Sequence, residues 1–424
     1  MKKPSTFAPI KENFLLKKFK GPLIALLIVA QTGFFSFVSA QESTTGNVSF
    51  INRLHRKLYH HSKPYTFLYN QLWLVDTAKS DTDLLKKPNF VVIPYFAYSP
   101  ETSFQFGGAG VYSLFLHKDS ITRVSAQTGS ISYTLNNQFD LELDPDFWTA
   151  YNKTHYTGTI IFASFPLNFY GIGYSTKDSN KVNLDSRKAF IDLEFEKQVI
   201  PNFRIGTTLI VTYDNFNLNA NKDFLNNYSS LYGAKGGTSF FTGLSFIYDD
   251  RDVLNFTSKG TYIRLNPSVS LHGISNLNTM AQVNFTGVEY LKFSHTLSLG
   301  LNMIANTIIG KQVPFFLLYQ LGGANIERGY YQGRYRDKSI LAAQAEFKYH
   351  FLARLALCGF VGTGTTWGYQ PFSTSEFKPS YGGGIHYIFS IQNQLSLRLD
   401  YALGNKPPGE QRFHGVYFAI GEAF

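Results

Sequence analysis

Cys358 is the one cysteine in 424 residues. A lone thiol rules out an internal disulfide and gives no cysteine-based metal site, so a buried, inert thiol is expected there. Charge is sparse as well. Asp, Glu, Lys and Arg make up 16% of the chain, less than its 17% of aromatics, where a soluble globule usually carries more charge. No stretch reaches about 18 consecutive apolar residues, which excludes a helical membrane span. The residue patterns of chemistry are missing too. There is no Gly-x-Ser-x-Gly elbow, and Ser, His and Asp are scattered without a nucleophile, base and orienter in any recognisable order. The histidines, His60-His61 included, show no metal-ligand spacing. No catalytic residue, metal or cofactor is therefore expected.

What is present is glycine (35 residues), abundant aromatics and a mean hydropathy of −0.12. That mixture suits a barrel with one apolar and one polar face. The N-terminus adds an address. Lys2, Lys3, Lys11, Lys17, Lys18 and Lys20 precede or flank the apolar run 23–30, and Val38-Ser39-Ala40 is a small-x-small cleavage site before Gln41. This is the pattern of a secretory signal peptide over 1–40. The alternative, an anchoring helix, would need a longer apolar core than one that decays into Gln31, Thr32 and Gly33. Six lysines against Glu12 give the leader +5, half of the chain's +10, and the remainder is too small to suggest nucleic acid as a partner. An exported chain of this kind is periplasmic, released, or an outer-membrane barrel.

Residues 41–88 lack a strand pattern. Phe50, Ile51, Leu54 and Leu58 recur at helical spacing among Arg53, Arg56, Lys57 and His60, which predicts an amphipathic helix at 49–60. It would lie against the barrel mouth or membrane surface, or plug the lumen. From Asn89 the period changes to two. Candidate strands are 90–98, 103–116, 120–133, 136–146, 154–168, 188–198, 203–213, 238–248, 261–271, 280–293, 296–308, 339–350, 353–366, 379–390, 395–403 and 414–424. Sixteen is an even number, as an up-and-down barrel in a bacterial outer membrane requires.

The faces separate cleanly. Phe203, Ile205, Leu209, Val211 and Tyr213 oppose Arg204, Gly206, Thr208 and Thr212. Leu341, Ala343, Ala345, Phe347, Tyr349 and Phe351 oppose Gln344, Glu346, Lys348 and His350; Leu395, Leu397, Leu399 and Tyr401 oppose Ser396, Arg398 and Asp400. Asp192, Glu194 and Glu196 share one face of the sixth strand, as lumen lining or as cation ligands. Alternate connections are mostly short, at 117–119, 199–202, 294–295, 351–352 and 391–393. The others are long, at 169–187, 214–237, 309–338 and 367–378. Short turns belong on the periplasmic side and long loops outside; 147–153 and 249–260, though longer, fall on the turn side.

The loop between the eleventh and twelfth strands holds 321–337, LGGANIERGYYQGRYRD. It resembles the lumen-folding sixth outer loop of the BamA/TamA family of outer-membrane barrels (the bacterial surface antigen family), whose tip reads Arg-Gly-Phe/Tyr; here the tip is Arg328-Gly329-Tyr330. Other stretches resemble the same family. They are the opening hairpin at 94–102, Phe169-Tyr170-Gly171-Ile172-Gly173, Tyr248-Asp249-Asp250-Arg251-Asp252 with Gly260, and Arg398-Leu399-Asp400-Tyr401. Phe418, Ile420 and Phe424, with Val416, resemble the terminal-aromatic signal read by the barrel-assembly machinery, although Glu422 breaks the apolar face. The family's aromatic-x-Asp-x-Gly stretch is replaced by Phe360-Val361-Gly362-Thr363-Gly364, with Gly362 where the aspartate would fall.

The resemblance covers about residues 90–424. It implies an all-β, 16-stranded antiparallel transmembrane barrel at 89–424, while the segment 41–88 is too short for even one of the periplasmic POTRA domains that the family usually carries. It also implies a loop arginine in the lumen, for which Glu346 and Asp400 are the candidate partners, a solvated surface arginine being the alternative. A role in inserting or translocating proteins at the outer membrane follows. Expected partners are membrane lipid, the assembly machinery, and client outer-membrane proteins or a periplasmic partner. In the family's lateral mechanism a weak seam offers a strand edge, and Gly415 and Gly421 would loosen the last strand. The other reading is a passive pore or surface-structural barrel.

Overall fold

The computed structural model describes residues 88–99, 103–117, 119, 121–135, 137–217, 228–252, 257–270, 277–390 and 395–424. The leader, the segment 41–88 up to its last residue, the helix expected at 49–60 and His60-His61 lie outside the described residues. The fold is that of the compact unit formed by Lys79–Tyr349 and Leu357–Phe424; His350–Ala356 fall outside that unit.

The strands are β1 (Asn89–Ser99), β2 (Ser103–Leu114), β3 (Ser125–Thr134), β4 (Phe139–Trp148), β5 (Thr154–Phe169), β6 (Val182–Ile200), β7 (Phe203–Phe216), β8 (Gly236–Asp249), β9 (Gly260–Ser270), β10 (Ala281–Lys292), β11 (Leu297–Ile309), β12 (Tyr319–Leu321), β13 (Tyr335–Asp337), β14 (Ser339–Leu352), β15 (Leu355–Trp367), β16 (Lys378–Ser390), β17 (Leu395–Leu403) and β18 (His414–Ile420). Sixteen of them form one sheet in chain order, β1 to β11 and then β14 to β18, each beside its sequence neighbour. The short β12 and β13 pair with each other inside the loop between β11 and β14. Contacts through the interior join strands far apart in that order. Arg123, just before β3, reaches Asp249 on β8 at 2.6 Å, and Tyr290 on β10 donates to the backbone oxygen of Phe424, beyond β18. The sheet is thus rolled into an antiparallel transmembrane barrel.

Burial is inverted relative to a soluble protein. Phe347, Leu399 and Phe418 are half or more exposed, at 51%, 51% and 56%, whereas Glu346, Arg398 and Asp400 are each 1% exposed. The two-residue period set this outcome, since side chains alternate across a strand and one face meets lipid while the other meets the lumen. The faces expected on β7, β14 and β17 are those found.

Three boundaries differ from expectation by four residues or more. β6 begins at Val182, not 188, because its first residues continue the ladder with β5, Val182 opposite Phe169, although Asn183, Asp185 and Arg187 hide any strand pattern in the sequence. β3 begins at Ser125, not 120. Before it the chain makes a side-chain-capped turn in which Asp119 accepts from the backbone N–H groups of Ile121 (2.8 Å) and Thr122 (2.5 Å). The Thr122 hydroxyl and these amides hold the Asp119 carboxyl well below the usual carboxylate range, with its desolvation opposing them. β18 ends at Ile420 and does not reach 424. Gly421 has φ +89°, in the left-handed region that glycine adopts without strain, and it turns the last residues out of the sheet.

The two connections assigned to the turn side against their length do sit with the short turns. Asn152 takes the amide of Arg123 at 2.8 Å and donates to Ile121 at 2.9 Å, Gln198 donates to Lys153, and Asp249 donates to Asn202. At the opposite, outer end, residues of β5, β6, β7, β8 and β11, with residues of the connecting loops, build an apolar cluster. It includes Phe169, Leu184, Phe216, Phe241, Ile308 and Phe315.

Candidate functional site in the barrel lumen

The loop from β11 to β14 enters the barrel and is anchored at two levels. Its outer part is held by neighbouring loops. Arg334 bonds Thr176 at 2.6 Å and Glu410 at 3.2 Å, with its guanidinium over the rings of Tyr170, Tyr335 and Phe413. The Gly173 amide donates to Arg336 at 2.7 Å, and Asp337 accepts from the amides of Tyr369 and Gln370 at 2.8 and 3.3 Å.

Its tip carries Arg328-Gly329-Tyr330. The Arg328 side chain is fully buried, with Nη2 2.6 Å from Glu346 on β14 and Nη1 2.8 Å from Asp400 on β17. The guanidinium plane rests 3.5 Å from the ring centroid of Phe360 on β15. Two charge-assisted contacts and a stacked ring match the planar fork of arginine. Gln344 secures the same turn by donating to the carbonyls of Asn325 (3.2 Å) and Ile326 (2.8 Å), and Arg398 donates to Asn325 at 2.9 Å.

Gly329 has φ +107°, and a Cβ there would stand 2.9 Å from the carbonyl carbon of Leu403, so the tip can lie flat against β17 only without a side chain. Its amide donates to Tyr417 at 2.7 Å. Tyr330 is buried among Phe413 and Tyr335, donates its hydroxyl to the Pro379 carbonyl at 2.7 Å and accepts from the Asn405 amide at 2.9 Å. The sequence candidates Arg328, Glu346 and Asp400 are therefore adjacent. Gly362 takes no part in the clamp. A Cβ at that position would meet the side chains of Gln344 at 2.9 Å and Ser380 at 3.1 Å, which would have to shift to admit an aspartate, and Asp400 stands two strands further on.

Beside Arg328 on the same loop is Glu327, completely buried, its carboxylate oxygens without a hydrogen-bond donor. Desolvation pushes its pKa well above the usual carboxylate range, and the Lys378 charge offsets part of this. Nothing along the chain signals this, because a loop glutamate beside an arginine reads as solvated. On the far wall Glu194 pairs with Arg264, and His155 lies between Glu196 (3.0 Å) and Asp146 (3.2 Å); Asp192 accepts from Thr208 at 3.2 Å. That acidic face is lumen lining, neutralised by protein groups.

The chain terminus departs furthest from expectation. Phe418 faces outward as read, and the side chain of Ile420 lies outside the described residues. Phe424 is not on the lipid face. Past Gly421 the tail turns into the lumen, where the ring of Phe424 sits 6.2 Å from that of Tyr290 and Glu422 pairs with Lys348. Glu422 therefore does not interrupt an apolar face, and Gly421 is a turn residue and not a weak point within a strand. Cys358, expected to be inert, is buried against polar atoms. Its Sγ is 3.2 Å from His386 Nε2 and 3.5 Å from Asp400 Oδ1. These groups come from β15, β16 and β17, so no spacing along the chain could have joined them.

A barrel with a lipid-facing apolar wall, an ionic lumen and a cationic loop clamped inside defines an outer-membrane β-barrel protein. The Omp85 superfamily domain matches residues 120–424, and the chain belongs to that superfamily. Its fold is similar to that of BamA from Haemophilus ducreyi lacking POTRA domains 1-3, with TM-score 0.50 and 14% identity over 79% of this chain and 70% of that one. It is also similar to CdiB from Acinetobacter baumannii, with TM-score 0.50 and 9% identity over 78% of this chain and 59% of that one. At these identities the likeness is one of fold. No curated protein matches the sequence.

Proposed function

We propose that this barrel inserts or translocates proteins at the outer membrane through the seam between its first and last strands. The carrying observation is the seam itself. β1 and β18 stand at the two ends of the sheet order, β1 beside β2 and β18 beside β17. β18 offers a ladder of seven residues and β17 of nine, against nineteen in β6, so the wall is lowest there. Backbone donors and acceptors at a sheet end are a template for an added strand. Family membership supports the same reading, and the apolar cluster filling the outer end of the lumen weighs against a passive pore. Residues 1–40 act as the export signal, cleaved after Ala40, and the clients are other outer-membrane proteins.

Photo-crosslinkers at Val92 or Val416 test this directly. Capture of nascent outer-membrane proteins there, and none from a probe at the exposed Leu244 on β8, half-way round the sheet order, is the expected result. Ion conductance without any client adduct, and unchanged outer-membrane protein levels on depletion, would overturn it.

A further inference from the structure

We infer that the lumen holds a site for a single late-transition divalent cation of the zinc class, built by Cys358, His386, Asp400 and Glu346 at its periplasmic end. Glu346, Cys358 and His386 each offer one ligand atom, all within 4.8 Å of one another, and all three residues are buried. Asp400 completes the set through Oδ1, 3.2 Å from His386 Nε2 and 3.5 Å from Cys358 Sγ.

Two features point to a cation. The first is convergence. His386 Nε2 lies 3.2 Å from both Cys358 Sγ and Asp400 Oδ1, and the thiol is 3.5 Å from the same Oδ1, so a nitrogen, a sulfur and a carboxylate oxygen meet at one point. The second is size. With bonds of about 2.0–2.1 Å to N or O and about 2.3 Å to S, the edges of a tetrahedron are roughly 3.3 Å for N to O and roughly 3.6 Å for contacts to sulfur. The observed edges of 3.2, 3.2 and 3.5 Å are near those values, so the three groups would close on a cation with small shifts.

The surroundings fit the same donor set. Arg328 occupies Glu346 Oε2, leaving Oε1, which is 3.9 Å from Lys348 Nζ. Arg328 and Arg398 both occupy Asp400 Oδ2, leaving Oδ1 to the cluster. Glu422 Oε2 faces His386 Nδ1 at 3.6 Å, the place where a carboxylate orients a ligating imidazole so that Nε2 meets the metal. Three carboxylates (Glu346, Asp400, Glu422) face three cationic side chains (Arg328, Arg398, Lys348), so the added charge is met chiefly by the thiolate that binding creates, its proton going to solvent. Mixed nitrogen, sulfur and carboxylate donors select zinc-like ions over magnesium or calcium.

The test uses the purified full chain in detergent, stripped with chelator, dialysed, and loaded with Zn²⁺ alone or Co²⁺ alone. The expected result is one equivalent retained per chain, with Co²⁺ giving a thiolate-to-metal charge-transfer band that Zn²⁺ abolishes. Cys358→Ser removes the band, His386→Gln loses the equivalent, and Glu422→Gln weakens affinity about ten-fold or more. Because buried variants can misfold, the wild-type chain supplies an independent readout: Zn²⁺ should slow maleimide modification of Cys358 in mild denaturant. No retained metal, equal retention in the two ligand variants, or an unchanged modification rate would each overturn the proposal.

Discussion

Arg328 stands between two acidic side chains on strands that are not neighbours, β14 and β17, so its charge ties together a wall that the ladder alone joins only through β15 and β16. Such a buried ion pair positions more than it stabilises, because desolvation offsets the attraction. Removing one partner is different, since it strands the others. Arg328→Ala should cost about 3 kcal/mol, because Glu346 loses its close cation while Asp400 keeps Arg398. The expected outcome is a lower yield of the heat-modifiable folded band on cold electrophoresis. Arg328→Lys should recover only part, as an ammonium cannot span both carboxylates in one plane.

Its neighbour predicts the opposite sign. The folded state holds Glu327 protonated above the ordinary glutamate pKa, so the native chain binds more protons than the unfolded one in that window, and stability falls as pH rises through it. Glu327→Gln removes that slope. The thermal transitions of wild type and variant should coincide near pH about 4 and diverge by about 8, with the variant higher. A variant lower at both ends would refute the assignment.

At the scale of elements, the inward tail and the lumen loop converge on the same three strands. Glu422 reaches Lys348 on β14 and faces His386 on β16, while the Gly421 amide still donates to the Ser396 carbonyl on β17 at 2.8 Å. The tail thus fastens the end of the shortest strand of the sixteen-stranded sheet to the wall behind it. Deleting 421–424 should loosen β18 before the rest of the barrel, seen as faster amide exchange at 414–420 with β5 to β8 unchanged. Equal exchange in both chains would show the tail to be a passenger.

For the whole molecule, the deciding feature is that, among the described residues, an apolar cluster occupies the outer end and the Arg328 loop is clamped inside the barrel. Phe315 is 1% exposed and packs its ring against Phe169 and Phe216 at 5.2 and 5.0 Å. Phe315→Ala should cost about 3–5 kcal/mol of that packing and raise single-channel conductance in planar bilayers above a low wild-type level. A wild-type barrel that already conducts like an open porin would contradict this occupancy.

The sequence by itself determined the period-two alternation, the strand count, the two faces of β7, β14 and β17, and the loop that carries Arg328. These are local quantities: a strand's faces follow from its own residues, and the family's tip motif is contiguous. It also supplied Glu346 and Asp400 as acceptors, because each is an inward acid on a late strand. It could not reveal that Cys358, His386 and Asp400 touch, that Glu327 is buried, or that the last four residues leave the sheet. Each of those depends on which strands lie side by side once the sheet rolls up. A terminal phenylalanine on an alternating run looks lipid-facing until one glycine with positive φ redirects the chain, and only the closed tertiary structure supplies the Tyr290 and Lys348 pocket that receives it.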